Sequence, residues 1–162
     1  MEAADVLDLY RACARAGITI WIDGGWCVDA LLGEQTRPHS DLDIAVRRGR
    51  ADRVREILTG MGYLADRGPD HTAWNYVMSK GPDTSVDIHV FDHDADGRVT
   101  YGIEYPADSL TGTGTIDGEK VDCISAPWMF TFKTAYPPAP EDRADVQALA
   151  AKFGFAIPDS HR

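Results

Sequence analysis

The sequence has few basic residues, few cysteines and no long apolar run, and each shortage excludes a class of protein. Its 162 residues include 16 Lys and Arg against 26 Asp and Glu, which gives a net charge of −10. This balance argues against nucleic-acid binding, which relies on phosphate neutralisation by Lys and Arg, and favours metal ions and amine-bearing small molecules as partners. The three cysteines, at positions 13, 27 and 123, fit neither a disulfide framework nor a zinc site. No run approaches the ~20 apolar residues of a bilayer span, and the first residues lack a secretory signal. We therefore expect a cytoplasmic protein with no membrane partner.

The order of the predicted elements indicates an α+β protein. Helical periodicity occurs at 2–16, 26–33, 50–62, 127–136 and 141–153. Strand patterns occur at 18–22, 41–46, 73–79, 84–91 and 98–104, and 114–116 and 119–124 form a hairpin across Asp117-Gly118. Hairpins among the crossovers predict a mixed or antiparallel sheet that is not doubly wound. We expect one domain, with residues 1–136 as its main part and residues 137–162 as a C-terminal helical segment.

The stretch from Trp21 to Val46 carries two motifs that point to phosphate chemistry. Asp41 and Asp43 are two residues apart in a predicted strand, so both side chains project from one face, about 6.6 Å apart. Such paired carboxylates are hard oxygen ligands that suit Mg²⁺. Gly24 and Gly25 precede a helix, and their missing side chains allow backbone N–H groups to approach a triphosphate. Each motif alone is more often a solvated strand face or an ordinary turn, but their order and separation favour function.

A third carboxylate lies in the strand predicted at 84–91. The alternation from Ser85 to Phe91 places Asp87 and His89 on one face and apolar side chains on the other. An aspartate in the middle of such a strand is costly to bury unless it is paired or metal-bound. Three carboxylates on two strands match the needs of a two-metal displacement site.

These motifs resemble a known family. The segment Trp21-Ile22-Asp23-Gly24-Gly25-Trp26, followed by Val28-Asp29, Gly33 and Arg37-x-His39-x-Asp41-x-Asp43, is similar to the small, single-domain lincosamide nucleotidyltransferases. More broadly it resembles the aminoglycoside-2''-adenylyltransferase-like group of the polymerase-beta nucleotidyltransferase superfamily. The likeness continues through Val86-Asp87-Ile88-His89 and the segment around Tyr136, Asp142 and Asp145. Many superfamily members carry Gly-Ser in place of Gly24-Gly25, but the lincosamide and aminoglycoside branch does not.

The resemblance implies a polymerase-beta-like fold, with a two- to five-stranded mixed sheet flanked by helices and a small helical C-terminal part. It also implies transfer of a nucleoside monophosphate from an NTP, such as ATP, to a hydroxyl of a small-molecule antibiotic, with release of pyrophosphate. It assigns the metal ligands, for two Mg²⁺ ions, to Asp41, Asp43 and Asp87. Asp87 is in addition the candidate for activating the hydroxyl. The nucleotide contacts are assigned to Gly24, Gly25, Arg37 and His39.

The acceptor is left open at this point. A lincosamide is favoured because the chain length agrees with that group, and the alternatives are an aminoglycoside, a protein or a biosynthetic metabolite. A non-catalytic nucleotide binder is disfavoured because all three aspartates are present. The sequence does not distinguish a monomer from a homodimer.

Several other residues have both a functional and a structural interpretation. His39 either has a functional role, in which it orients the metal-ligand loop or contacts substrate, or is a packed structural histidine. Lys133 either reaches a phosphate or, as the preferred interpretation, is a surface lysine. Asp142 and Asp145 are predicted simply to begin the last helix. The aromatic residues Trp74, Tyr76 and Trp128 are expected in the core rather than against substrate. The segment 92–97 mimics an EF-hand loop, but Ile103 stands at the twelfth position, so a solvated turn is expected.

Overall fold

The computed structural model describes residues 1–66 and 71–162, which form helices, one sheet and two single-turn 3₁₀ helices. The helices are α1 (Ala3–Arg15), α2 (Gly24–Leu32), α3 (Arg48–Gly60), α4 (Ala126–Lys133) and α5 (Pro140–Phe153). The strands are β1 (Trp21–Asp23), β2 (Asp41–Arg47), β3 (Leu64–Ala65), β4 (Asn75–Gly81), β5 (Thr84–His93), β6 (Val99–Gly102), β7 (Gly112–Ile116) and β8 (Glu119–Cys123). The 3₁₀ helices are Ala107–Thr111 and Asp159–His161.

The sheet is mixed, as predicted, but larger than the resemblance implies. Its order within the described residues is β3-β4-β5-β2-β1-β8-β7, with β6 paired to β5, which makes eight strands rather than two to five. The β2–β5 and β1–β8 pairs are parallel, and the other pairs are antiparallel. The extra strands come from the β3–β4 and β7–β8 additions and from β6, which extend the sheet on both sides of the central β1, β2 and β5.

The register of the three central strands brings three aspartates into one row. Asp23 of β1 pairs with Asp43 of β2, and Asp43 pairs with Asp87 of β5. Neighbouring strands are about 4.8 Å apart, so paired residues in adjacent strands present their side chains side by side. The opposite face of β5 carries the buried residues Val86, Ile88 and Val90, which confirms the alternation predicted for this strand.

Local sequence explains most of the element boundaries. Asp117 and Gly118 both have positive φ angles, 51° and 78°, which is the requirement of the two-residue hairpin turn predicted there. Gly154 ends α5 in the left-handed conformation, as expected for a helix C-terminus. The strand predicted at 18–22 begins later, because pairing with β2 starts only at Trp21, although Ile18 and Ile20 are buried. The helix predicted to reach residue 136 ends three residues earlier, at Lys133.

The helices pack in two groups around a continuous apolar core. α1 contacts α3, and α2 contacts both α4 and α5. The segment predicted as the C-terminal helical part is thus joined to the rest through α2 and α4, and its separation as a segment of its own stays a prediction. Within the described ranges, every helix is too short or too polar to cross a bilayer.

Candidate active site

Asp43 and Asp87 converge on one site together with His89. One ligand atom from each of these three side chains lies within 4.8 Å of the others. The two carboxylates are brought together by the parallel register of β2 and β5, and His89 follows Asp87 on the same face of β5. Asp41 lies on the same face of β2 as Asp43 and lines the same cavity, but it is exposed and stands outside this group of three.

Asp23, which sequence reasoning did not propose as a site residue, organises the group from β1. Its Oδ1 atom accepts a hydrogen bond of 2.7 Å from the Gly24 N–H, and its Oδ2 atom accepts one from the Tyr105 hydroxyl. His89 Nδ1 lies 2.9 Å from the Tyr105 hydroxyl oxygen, and its Nε2 lies 3.5 Å from Asp87 Oδ2. An aspartate directly before a helix is a typical N-cap, and that signal could have identified Asp23. No local signal identifies Tyr105, which is 82 residues away.

Burial and crowding change the proton affinities of these groups. Burial, together with the negative charges of Asp23, Asp41 and Asp87 and against the opposing charge of His89, raises the pKa of the Asp43 carboxyl to about 7. Burial alone would lower the pKa of His89, but hydrogen bonds to Asp23 and Asp87 raise it to about 10. The site therefore combines an excess of carboxylates with one imidazole that holds its proton at neutral pH.

The Gly24-Gly25 turn leaves space that any side chain would occupy. A Cβ atom on Gly24 would lie 1.9 Å from Asp43 Oδ2, and the φ angle of Gly24 is +59°. A Cβ atom on Gly25 would lie 2.6 Å from Arg37 Nη2 and 2.6 Å from the His39 ring. Both glycines are therefore required by close approach, and the backbone of the turn faces the residues predicted to contact a nucleotide.

His39 is a packed residue that also borders the site. It is buried, its Nε2 lies 2.6 Å from Asp29 Oδ2, and its ring lies 4.8 Å from the ring of Trp26. The two interpretations left open for His39 are therefore compatible, because Asp29 fixes the ring in the core while its other edge lies beside Gly25.

Asp23, Asp41, Asp43 and the turn line one cavity of about 660 Å³. The opposite wall comes from the segment after β6, from α4 and α5 and from the segment between them, and includes Ile103, Glu104, Met129, Phe132, Tyr136 and Glu141. Trp74, Tyr76 and Trp128 are not among the lining residues in the described part of the chain. Tyr76 is buried as expected, whereas Trp74 is 40% exposed, so its expected core position is wrong.

The cavity wall also holds a second group of charged residues. Lys133 is buried rather than at the surface, and its Nζ lies 2.8 Å from Asp142 Oδ1 and 3.0 Å from Asp145 Oδ2. Asp145 also accepts from Arg37 Nε and Nη2, at 3.3 and 3.2 Å. The surface position predicted for Lys133 is wrong. The role predicted for the two aspartates is incomplete, since Asp142 does cap α5 through the Ala139 N–H but both carboxylates are buried ion-pair partners.

The turn expected at 92–97 is present but begins after Asp92 and His93, which are the last residues of β5. Asp94 Oδ1 accepts hydrogen bonds of 2.9 Å from the backbone N–H groups of Asp96 and Arg98, and Gly97 has a φ of 79°. This carboxylate is thus engaged by its own turn.

The residues at the acidic end of the cavity suit a magnesium ion. Asp87 Oδ1 is buried and has no hydrogen-bond partner in the described structure, and the pKa of Asp43 is raised by burial and by neighbouring negative charge. A divalent cation bound by oxygen ligands would satisfy both conditions. His89 is less suited as a ligand, because its two ring nitrogens face Tyr105 and Asp87 and because Mg²⁺ prefers oxygen.

Comparisons with known proteins agree with this geometry. A lincosamide resistance protein of Staphylococcus haemolyticus is 27% identical over 157 residues, covering 89% of each chain. A 2''-aminoglycoside nucleotidyltransferase of Escherichia coli is 34% identical over 83 residues, which is 43% of this chain and 47% of that protein.

Two solved structures confirm the predicted fold. The lincomycin-bound lincosamide antibiotic adenylyltransferase LnuA superposes with a TM-score of 0.73 at 25% identity, covering 90% of this chain and 92% of that one. ANT(2'')-Ia in complex with adenylyl-2''-tobramycin superposes with a TM-score of 0.76 at 23% identity, covering 94% and 89%. The family model for aminoglycoside-2''-adenylyltransferase matches residues 5–149. The chain therefore belongs to the aminoglycoside-2''-adenylyltransferase family, and it is a nucleotidyltransferase.

Proposed function

We propose that the protein transfers a nucleoside monophosphate from a magnesium-bound NTP to a hydroxyl group of a lincosamide antibiotic and releases pyrophosphate. The observation that carries this proposal is the juxtaposition of Asp43, which is grouped with Asp87, and the Gly24-Gly25 turn, which lines the same cavity as Asp43. Nucleotidyl transfer requires carboxylates that bind a cation and a nearby group that binds phosphate. Here the carboxylate pair lies beside a helix N-terminus, which can bind phosphate.

Asp43 and Asp87 would hold Mg²⁺ in this proposal, with Asp41 as a further oxygen ligand from the cavity rim. The ion, when bound, would neutralise phosphate charge and polarise the α-phosphoryl group. The number of ions, two in our prediction, follows from the three-carboxylate resemblance alone. The assignment of these three residues stays a prediction whose test is described below.

The chemistry is a displacement at the α-phosphorus. The acceptor oxygen forms a bond to the α-phosphorus, the bond from that phosphorus to the bridging oxygen of the β-phosphate breaks, and pyrophosphate leaves with the electron pair. The hydroxyl proton passes to Asp87, whose Oδ1 has no other partner in the described structure. His89 is the weaker candidate for this role, because its pKa is raised to about 10 and it already holds a proton.

The triphosphate would lie along the Gly24-Gly25 turn. The first N–H groups of α2 have no partner within the helix and carry the positive end of its dipole, so they attract phosphate oxygens. Arg37 and His39 stand directly beside Gly25 and would contact the same phosphates.

The lincosamide assignment rests on the extent of the likeness. The lincosamide resistance protein matches over 89% of its length, whereas the 2''-aminoglycoside nucleotidyltransferase matches over 47%. An aminoglycoside is the second candidate, because the family that matches residues 5–149 is described by aminoglycoside adenylylation. Glu104 and Glu141 on the cavity wall suit the amine groups of either class.

The test is mass spectrometry of products after incubation with Mg²⁺, each of the four common NTPs, and a panel of lincosamides and aminoglycosides. We expect lincomycin to gain the mass of one nucleoside monophosphate, with stoichiometric pyrophosphate. Asp43→Asn serves as the matched control. It replaces one carboxylate oxygen by an amide nitrogen, which removes the charge of a proposed metal ligand, so this variant should give no product. Modification of kanamycin-type drugs without modification of lincomycin would show that the acceptor is an aminoglycoside rather than a lincosamide. The absence of product with both drug classes would overturn both assignments.

A further inference from the structure

Asp145 joins two cationic side chains that reach the cavity from distant parts of the chain. Its carboxylate accepts hydrogen bonds from Arg37 Nε and Nη2, at 3.3 and 3.2 Å. It also forms an ion pair with Lys133, whose Nζ lies 3.0 Å away. Arg37 lies in the segment between α2 and β2, and Lys133 is the last residue of α4. Asp145 itself is only 2% exposed, so this contact is an interior one.

Arg37 and Lys133 are the only Lys or Arg side chains among the described residues that line the cavity. In the same part of the chain, Asp145 is the one residue that pairs with both of them, since Asp142 pairs with Lys133 alone. Two long side chains lose considerable rotamer freedom when they are fixed. A carboxylate that fixes both in advance removes that cost from the binding of an anion.

The fixed positions lie beside the phosphate turn. Arg37 Nη2 would be 2.6 Å from a Cβ atom on Gly25, so its guanidinium occupies the space next to the start of α2. A guanidinium has five N–H donors and an ammonium has three. Two of the five N–H donors of Arg37 donate to Asp145, and one donates to Pro38 O at 3.4 Å. Lys133 gives two donors to Asp142 and Asp145. Both cations thus keep donors for a ligand in the cavity.

We propose that Asp145 is a positioning residue that holds Arg37 and Lys133 together against the β- and γ-phosphates of the NTP, the part that leaves as pyrophosphate. This proposal rests on the NTP half of the proposed function and is independent of which acceptor is used. The two carboxylates and two cations of the group are balanced in charge, so its contribution is geometric: it specifies where the cations stand rather than adding net positive potential.

The test compares Asp145→Asn with Asp142→Asn. We expect Asp145→Asn to raise the Ki of inorganic pyrophosphate and the KM of the NTP together by about tenfold, because both cations lose their common anchor, while the KM of the acceptor stays within twofold. Asp142→Asn removes a carboxylate of the same group that does not touch Arg37, and we expect it to lower Tm with a smaller change in Ki. Equal Tm losses in the two variants with an unchanged pyrophosphate Ki in Asp145→Asn would overturn the proposal.

A second variant covers the case in which Asp145→Asn does not fold. Arg37→Lys keeps the charge of a side chain that is 29% exposed but cannot form the two-pronged contact with Asp145. We expect a similar rise in the pyrophosphate Ki at unchanged Tm, and an unchanged Ki would again overturn the proposal.

Calorimetry with magnesium pyrophosphate separates this proposal from the proposed function. If the wild-type protein binds pyrophosphate and Arg37→Lys or Asp145→Asn weakens that binding, while no antibiotic of the panel is modified, the acceptor assignment fails and the role of Asp145 stands. A wild-type protein that binds no pyrophosphate overturns both.

Discussion

Two groups of buried or half-buried charged residues meet at the same cavity, the first through Asp23, Asp43 and His89 and the second through Arg37 and Lys133, and they differ in charge balance. The acidic group, Asp23, Asp43 and Asp87 with the single cation His89, has more carboxylates than it can pair. The balanced group, Arg37, Lys133, Asp142 and Asp145, pairs two cations with two carboxylates. An unbalanced group is tolerated where a ligand supplies the missing charge, whereas a balanced one can serve the folded protein by itself. The comparison predicts that mutations in the acidic group mainly affect turnover. Mutations in the balanced group should affect the binding of NTP and pyrophosphate and, where they leave an interior charge unpaired, stability.

The largest expected effect is on turnover in Asp43→Asn. Removing this carboxylate takes away a ligand for the cation that carries the transition-state charge, which is worth several kcal/mol, so we expect at least a 100-fold loss of turnover. The free energy of unfolding should be unchanged or increased, because burial and the neighbouring carboxylates both disfavour the charged form of Asp43 and raise its pKa. Asp41→Ala should lose turnover in the same way. Residual turnover within tenfold of wild type in either variant would contradict the assignment.

Asp87→Asn separates a proton acceptor from a metal ligand. If Asp87 accepts the hydroxyl proton, turnover falls by about 10²–10⁴-fold while the NTP still binds with Mg²⁺, because the amide keeps one oxygen ligand but is no base. Steady-state kinetics and calorimetry with the NTP measure the two properties. Loss of NTP binding together with turnover would make Asp87 a ligand first and would contradict its role as the base.

Lys133→Met tests the balanced group through stability. The substitution leaves Asp142 and Asp145 with an uncompensated charge in the interior, and we expect the free energy of unfolding to fall by about 3–5 kcal/mol. Lys152→Met is the matched control, because Lys152 is an exposed lysine of α5 whose Nζ donates only to Leu32 O.

Denaturant unfolding of both variants provides the measurement. The Lys152→Met control should lose no more than about 1 kcal/mol. Equal losses in Lys133→Met and Lys152→Met would remove the distinction between the two groups of charged residues.

The smallest expected effect is an opposite pH dependence of the two groups, measured as the free energy of unfolding in the presence of a chelator. The pKa of Asp43 is raised to about 7 by burial and neighbouring charge, so the folded state binds more protons and stability increases as pH falls from about 7 to about 4.

Asp142 behaves in the opposite way. Burial alone would raise its pKa, but the Lys133 ammonium lowers it, so its stabilisation is complete above the unfolded value of about 3.9 and is lost at lower pH. Asp43→Asn should abolish the first slope and Lys133→Met should reduce the second. Slopes that neither variant changes would show that other groups control the titration.

The sequence predicts the acidic group better than the balanced one, for reasons of distance along the chain. Asp43 and Asp87 each lie in an alternating strand, and the Asp117-Gly118 turn has the chemistry that its conformation requires. These features are local, and the structure agrees with them. Arg37 and Asp145 are 108 residues apart in the sequence, and no local pattern near either residue predicts their contact.

The burial of Lys133 is likewise a property that the local sequence does not predict. A lysine near the end of a short helix is normally at the surface, and only the packing of α5 against α4 buries it. The strand patterns of the sequence include β6 but miss β3, because β3 has only two residues and is defined by its pairing with β4 rather than by a pattern of its own.

The pairing of β2 with β5 makes activity a reporter of correct folding. Because successive side chains of a strand alternate between faces, a slip of β5 by one residue would turn Asp87 into the apolar layer and bring Val86 or Ile88 to the cavity. A slip by two residues would keep the face but move the carboxylate by about 6.6 Å, beyond reach of a cation shared with Asp43. A misregistered sheet should therefore be inactive, and insertions and deletions in β5 should reduce activity far more than those in the hairpin loop at Asp117.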